Sequence, residues 1–331
     1  MPQIKTSADT KPADPPTEAE LLLDAAILKV KSLENVEAEL TQAVSMLGQN
    51  FQVTGSYMKG PGYRIRMELN LKNLGDADGT LLQVCDGKVL WDYQRIAQAQ
   101  NYRRLAIDKI LARIEGPEFE QEIRDQIIGS FGFTGPEALL TGLRKSVLFD
   151  QKEEDSLDNR KVWILRGFWK DRTALASPGQ PAPTGALPPY IPSVIALTIG
   201  QEDGWPYKLE MKGRIRVGPS LGGAAEKKAA TPAPRPDQVS SLTLTYTNVK
   251  LNTELDPAKF AFTAPDPRIV PNVVVIDQTD EWLSRLNEAA AQLAEKARRG
   301  GGSPSKGEDP VTPAISIPKA LSSRARGSSA P

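Results

Sequence analysis

The chain has 331 residues, of which 40% are apolar, and 41 acidic side chains balance 41 basic ones. That composition supports a substantial core, and the zero net charge excludes whole-protein attraction to nucleic acid or to an anionic membrane. The absence of histidine removes the commonest general base and metal ligand together, and a single cysteine, Cys85, excludes an internal disulfide.

Residues 1–16 are rich in proline and charge and read as a disordered leader without the apolar core of a secretory signal. No apolar run reaches the roughly 18 residues a membrane-spanning helix needs. Thr17-x-x-Glu20 is spaced as a capping box, and the segment that follows, EAELLLDAAILKVKSL, carries an apolar stripe wide enough that it has to cover something.

Alternating patterns come next. VEAELTQAV sets Val36, Ala38 and Leu40 on one side. FQVTGSY does the same with Phe51, Val53, Gly55 and Tyr57. YRIRMELNL is the clearest, with Tyr63, Ile65, Met67, Leu69 and Leu71 opposite Arg64, Arg66, Glu68 and Asn70. Strict period-two writing of this kind predicts antiparallel strands with one dry face. In VCDGKVLWDYQ, Asp86-Gly87 reads as a two-residue turn that pairs Cys85 with Lys88, Val84 with Val89 and Leu82 with Trp91. Leu82, Val84, Val89, Trp91 and Tyr93 then share the dry face, and Gln83, Lys88 and Asp92 share the other with Leu90.

From about 107 to 148 the period turns helical, and two or three short helices are expected between strands, one with Thr134 and Glu137 as a second capping box and Pro136 in its first turn. Strands return in RKVWILRGFWK after an Asp158-Asn159 turn, in SVIALTIG and WPYKLEMKGRIRV around Gln201–Gly204, and in VSSLTLTYTNVKL. Two Pro-rich loops, 173–192 and 217–238, are long for a compact domain. A helix with Trp282, Leu283, Leu286 and Leu293 as its apolar marks occupies 278–299, and 300–331 reads as a disordered tail.

No phosphate loop, dinucleotide fingerprint, paired-cysteine motif or zinc motif is present. The carboxylates at 152–158 read as a solvated turn rather than a cation site. The sequence therefore assigns no catalytic residue, no metal and no cofactor. What remains is geometry: an α+β fold, mainly antiparallel β, with an extended apolar face. That face is either an ordinary core or the groove of an open half-barrel whose helices act as a movable lid.

Several stretches resemble the LolA/LolB superfamily of periplasmic lipoprotein carriers. They are AELTQAV at 38–44, GSYMKGPGYRIRMEL at 55–69, CDGKVLWDY at 85–93, GWPYKLEMKG at 204–213 and LTLTYTNVKLNTELDPAKFAFTAPDP at 242–267. They occur in the family's order. The resemblance implies one half-barrel domain over 17–277 that holds an acyl chain or a lipoprotein's lipid anchor, as a monomer, between membrane-bound donor and acceptor proteins in the periplasm. No signal peptide is visible, so a cytoplasmic site stays open. The expected lining is Val53, Tyr57, Ile65, Met67, Leu69, Leu82, Val84, Trp91 and Tyr93, and the expected lid is Leu22, Ala26, Ile27, Leu139 and Leu143. The family's arginine before the turn proline, which latches its lid, is replaced here by Gly60 with Lys59 beside it, leaving Arg64 or Arg66 to substitute. Two other readings stay open: a structural or interaction scaffold on the same half-barrel, and an enzyme for a lipid-like substrate, which needs inward-facing polar groups.

Overall fold

The computed structural model describes residues 15–74, 77–97, 99–131, 135–170, 172, 175, 187–214, 239–266, 268–270 and 273–299. The expected leader up to residue 14, Thr134, most of the 173–192 loop, all of the 217–238 loop and the tail lie outside the described residues. In chain order the elements are α1 (Glu18–Ser32), β1 (Val36–Met46), β2 (Gln49–Gly60), β3 (Arg64–Leu74), β4 (Ala77–Asp86), β5 (Val89–Ile96) and β6 (Ala99–Ala106). Three helices follow, α2 (Ile107–Ile114), α3 (Gln121–Ser130) and α4 (Pro136–Ser146). The remainder is β7 (Val147–Leu157), β8 (Arg160–Trp169), β9 (Val194–Gly200), β10 (Pro206–Lys212), β11 (Ser241–Leu251), β12 (Val274–Asp277) and α5 (Thr279–Arg299). The class is the one expected, α+β with mainly antiparallel strands in an open arrangement.

The chain separates into two compact units, Met1–Ser32 with Leu140–Leu242 and Leu33–Leu139 with Thr243–Pro331. In the first, β7, β8, β9 and β10 run antiparallel in chain order. Asp158 and Asn159 both take positive φ, 49° and 63°, as a tight β7–β8 hairpin requires. The capping box forms: the Glu20 amide donates to the Thr17 hydroxyl at 3.1 Å and the Thr17 amide to Glu20 Oε2 at 3.3 Å. The Thr17 hydroxyl also donates to the Phe149 carbonyl at 2.5 Å, pinning the start of α1 to β7. Farther along, Arg144 of α4 grips α1, donating to Asp24 Oδ1 at 2.8 Å and Glu20 Oε1 at 2.9 Å. Glu20 is buried, so this charge needs its partner; Asp24 is more exposed and matters less.

In the second unit the strand order is β12-β6-β5-β4-β3-β2-β1-β11, antiparallel except for β12, which lies parallel to β6. The β4–β5 turn is displaced from its expected position. Cys85 pairs with Leu90 and Val84 with Trp91, so Gly87-Lys88 rather than Asp86-Gly87 forms the two-residue loop. Asp86 is the reason: its Oδ1 accepts from the amides of Lys88 and Val89, both at 2.8 Å, while Gly87 supplies the positive φ of 97°. The register moves by two residues, so each side chain keeps its face.

Candidate functional site

Register across β1–β6 arranges the second unit's side chains as rows. One face carries the row Val36, Lys59, Ile65, Cys85, Leu90, Leu105, then Ala38, Tyr57, Met67, Gln83, Asp92, Arg103, then Leu40, Gly55, Leu69, Leu81, Gln94, Asn101. We call this the Tyr57 face. The opposite one, the Trp91 face, includes the row Glu37, Met58, Arg66, Val84, Trp91, Arg104 and the row Glu39, Ser56, Glu68, Leu82, Tyr93, Tyr102.

The nine expected lining residues therefore do not share a surface. Val53, Tyr57, Ile65, Met67 and Leu69 come together on the Tyr57 face, whereas Leu82, Val84, Trp91 and Tyr93 lie on its reverse. The cause is β4, whose Leu81, Leu82, Val84 and Cys85 make both faces apolar, so alternation within the strand cannot show which one continues β3's dry side.

The chain's own C-terminal strap packs on part of the Trp91 face, where Trp91 and Tyr93 are half-buried. Asp256 caps a 3-10 turn, Pro257–Phe260, accepting from the Ala258 amide at 2.8 Å. Phe260 is buried beside Gly60, where an added Cβ would meet its ring at 3.1 Å. Phe262 packs edge-on to Trp91 at 5.7 Å between centroids and stacks with Tyr102 at 6.4 Å, and Tyr102 stacks on Tyr93 at 4.5 Å. Lys259 reaches Glu37 at 3.1 Å, and this hydrogen bond holds the Glu37 carboxyl below its ordinary range. The hairpin aromatics thus anchor a strap. Arg64 and Arg66 lie on this face too, Arg66 pairing with Glu68 at 3.3 Å, which removes both from the latch role expected of them.

The Tyr57 face meets helices at one end. Gly135 lies so close to Tyr57 that an added Cβ would fall 2.7 Å from ring atom Cε2. Burial, with Tyr246 and Glu137 nearby, pushes the Tyr57 hydroxyl well above its ordinary range. Burial likewise lowers Lys59, against the attraction of Glu137. Lys59, not an arginine, is the cation beside α4's first turn. In that end row Val36, Ile65, Cys85, Leu90 and Leu105 are all buried. Away from it, Val53, Met67, Leu69, Leu71 and Leu81 are only half-buried.

Of the expected lid, Leu139 belongs to this unit, at the start of α4, and is half-buried. Leu22, Ala26, Ile27 and Leu143 belong to the first unit, where Ala26 and Leu143 are buried and Leu22 and Ile27 half-buried. Ala26 packs where Gly204 leaves room, an added Cβ there meeting Ala26 Cα at 3.0 Å.

Sequence reasoning placed Gln83 and Asp92 on the wet side. The structure instead sets them on the Tyr57 face in one row with Arg103, whose Nη1 lies 3.8 Å from Asp92 Oδ2. Burial raises the Asp92 carboxyl above its ordinary value, more than the Arg103 charge and the Gln94 amide lower it. The only sequence signal was Leu90 and Cys85 among polar neighbours on what looked like a solvent face. Cys85 is buried, and its thiol is pushed up to about 11 by burial. Among the described residues no group of three or more His, Cys, Asp or Glu side chains is placed to hold a metal, and no helix is long and apolar enough to cross a membrane.

No protein-family model and no curated protein sequence matches this chain. Among solved structures it is similar to a LolA superfamily protein from Nitrosomonas europaea, at 13% identity over 74% of this chain and 97% of that one, TM-score 0.25. It is also similar to LprF from Mycobacterium bovis, at 13% identity over 76% of this chain and 97% of that one, TM-score 0.31. A third is MucB in the Pseudomonas aeruginosa MucA/MucB complex, at 8% identity and TM-score 0.33, covering 75% of this chain but only 62% of that one. Members of the LolA superfamily are thus among the structures this chain resembles.

Proposed function

We propose that the chain is a non-enzymatic binding protein whose Tyr57 face shields an acyl chain, free or as a lipoprotein's anchor, for transfer between membranes in the periplasm. One observation carries the reading. Val53, Met67, Leu69, Leu71 and Leu81 form an apolar stretch left half-buried on a face whose end row buries Val36, Ile65, Cys85, Leu90 and Leu105. A contiguous apolar surface of that kind costs solubility unless something covers it. Each methylene removed from water contributes about 0.8 kcal/mol, so a chain of about 15 methylenes gains roughly 12 kcal/mol before ordering costs. No catalysis and no net charge are needed. The lid that the second unit itself provides is the start of α4, Gly135–Leu139, held over Tyr57 and Lys59.

Native mass spectrometry of the protein purified from its own host tests this. The expected result is a co-purifying acyl lipid or acylated protein. A bare mass, together with no uptake of an added acyl probe, refutes it.

A second reading has its own support. The terminal strand β12 exposes Val274, Val275 and Ile276 and, among the described residues, pairs with β6 alone. Such an edge suits addition of a partner's strand, and the protein would then be an interaction module. Binding of partner protein by a chain that takes up no acyl probe would favour it.

A further inference from the structure

We infer that the Asp92–Arg103 pair is a headgroup subsite, and that the ligand is a neutral amphiphile whose polar end both donates and accepts hydrogen bonds, such as a hydroxyl- or amide-bearing acyl lipid. The inference rests on the acyl-binding reading and names the ligand class for that face.

The Tyr57 face is divided along its width. Over β2–β4 it offers Val53, Met67, Leu69, Leu71 and Leu81; over β5–β6 it offers Asp92, Gln94, Asn101 and Arg103. Leu81 pairs directly with Gln94 where the regions meet, and at about 4.8 Å per strand β6 lies about 10 Å from β4 and about 19 Å from β2, a span suited to one amphiphile lying across the strands. The charged pair is not built for stability. Its separation of 3.8 Å is loose for an ion pair, and Gln94 Nε2 approaches Asp92 Oδ1 only at 3.5 Å. Setting charges on a face that also carries Leu90 and Leu105 costs desolvation that a pair of this quality does not recover. Burial outweighing Arg103 at the Asp92 carboxyl agrees with that balance. Both side chains nevertheless stay reachable, at 22% and 27% exposure.

The chemistry selects the ligand. Asp92 presents acceptors and Arg103 presents donors, with no net charge between them. A hydroxyl or amide satisfies both. A free fatty acid's carboxylate gains from Arg103 but is repelled by Asp92, so one charge is always misplaced.

Competition by 1-palmitoylglycerol and by palmitate for a bound fluorescent acyl amide, at neutral pH, tests the assignment with wild type and Asp92→Asn. The isosteric Asn variant is expected to fold, which circular dichroism checks. Wild type should prefer the glycerol ester by at least about tenfold, and Asp92→Asn should narrow that preference by tightening palmitate binding. If both amphiphiles compete equally in wild type, or the ratio is unchanged in Asp92→Asn, the subsite is wrong while the acyl groove stands. If the acyl amide itself does not bind, the groove reading fails and the subsite fails with it.

Discussion

Phe260 and Gly60 should be energetically coupled, and the geometry fixes the sign. Phe260 is 2% exposed, and truncating it to alanine is expected to cost about 3–5 kcal/mol, as for other large aromatic side chains removed from cores. Gly60 lies under that ring: an added Cβ would meet Cε2 and Cζ at 3.1 Å and the Arg64 Cβ at 3.3 Å. Gly60→Ala alone therefore pushes on the ring, costing about 1–3 kcal/mol, and recovers roughly 0.5–1 kcal/mol from the reduced freedom of the unfolded chain. Its net effect is a destabilisation of up to about 2.5 kcal/mol. With Phe260 already alanine the ring is gone, and the favourable part is opposed only by the Arg64 Cβ at 3.3 Å. Gly60→Ala should then cost clearly less than in the wild-type background, and stabilise by up to about 1 kcal/mol. Urea unfolding of the four proteins, followed by circular dichroism, measures the cycle. The same sign and size for Gly60→Ala in both backgrounds would show that the strap does not rest on β2 as described.

Three further outcomes follow from named contacts. Arg144→Met should destabilise by about 2–3 kcal/mol in thermal or urea unfolding, because buried Glu20 then keeps, among the described residues, only Lys170, at 3.5 Å, as a counter-charge, whereas Asp24→Asn should cost under about 1 kcal/mol. Cys85, fully buried with its thiol pushed up to about 11, should resist alkylation at neutral pH in the native protein and react once unfolded, as mass spectrometry of the adduct will show. Glu37 titrates lower in the folded protein than unfolded, so its contribution is present above the unfolded pKa and lost as pH falls through the lowered one. Wild type should exceed Glu37→Gln in stability at neutral pH, and the difference should vanish in acid.

Most of the strands were legible because their alternation is strict, as in Arg64–Leu71, and the α1 start was legible because Thr17 and Glu20 stand at capping-box spacing and form that box. The Asp158-Asn159 turn was readable for a similar local reason. What sequence could not supply was the relation between neighbouring strands. Leu81, Leu82, Val84 and Cys85 are apolar on both sides of β4, so the face that continues Ile65 and Met67 is set by pairing with β3, not by composition. That ambiguity put Trp91 and Tyr93 in the groove and Asp92 in water. The β3–β4 and β4–β5 registers resolve it, and Phe262, some 170 positions away in the chain, packs on Trp91 on the reverse face. Likewise Asp86 looked like a turn residue and instead caps the turn from outside it. The short parallel β12 carried no alternation to read, and Arg144 gave no sign of its reach to Glu20 and Asp24.

The division into two faces is tested most directly by titrating a fluorescent long-chain acyl amide into wild type, Leu69→Glu and Trp91→Leu, each first shown to be folded. Leu69 stands on the half-buried apolar stretch and Trp91 beneath the strap. The probe should bind wild type, lose at least about tenfold in affinity with Leu69→Glu, and be held nearly unchanged by Trp91→Leu. Undiminished binding by Leu69→Glu, or loss confined to Trp91→Leu, would contradict the assignment of the acyl-binding face.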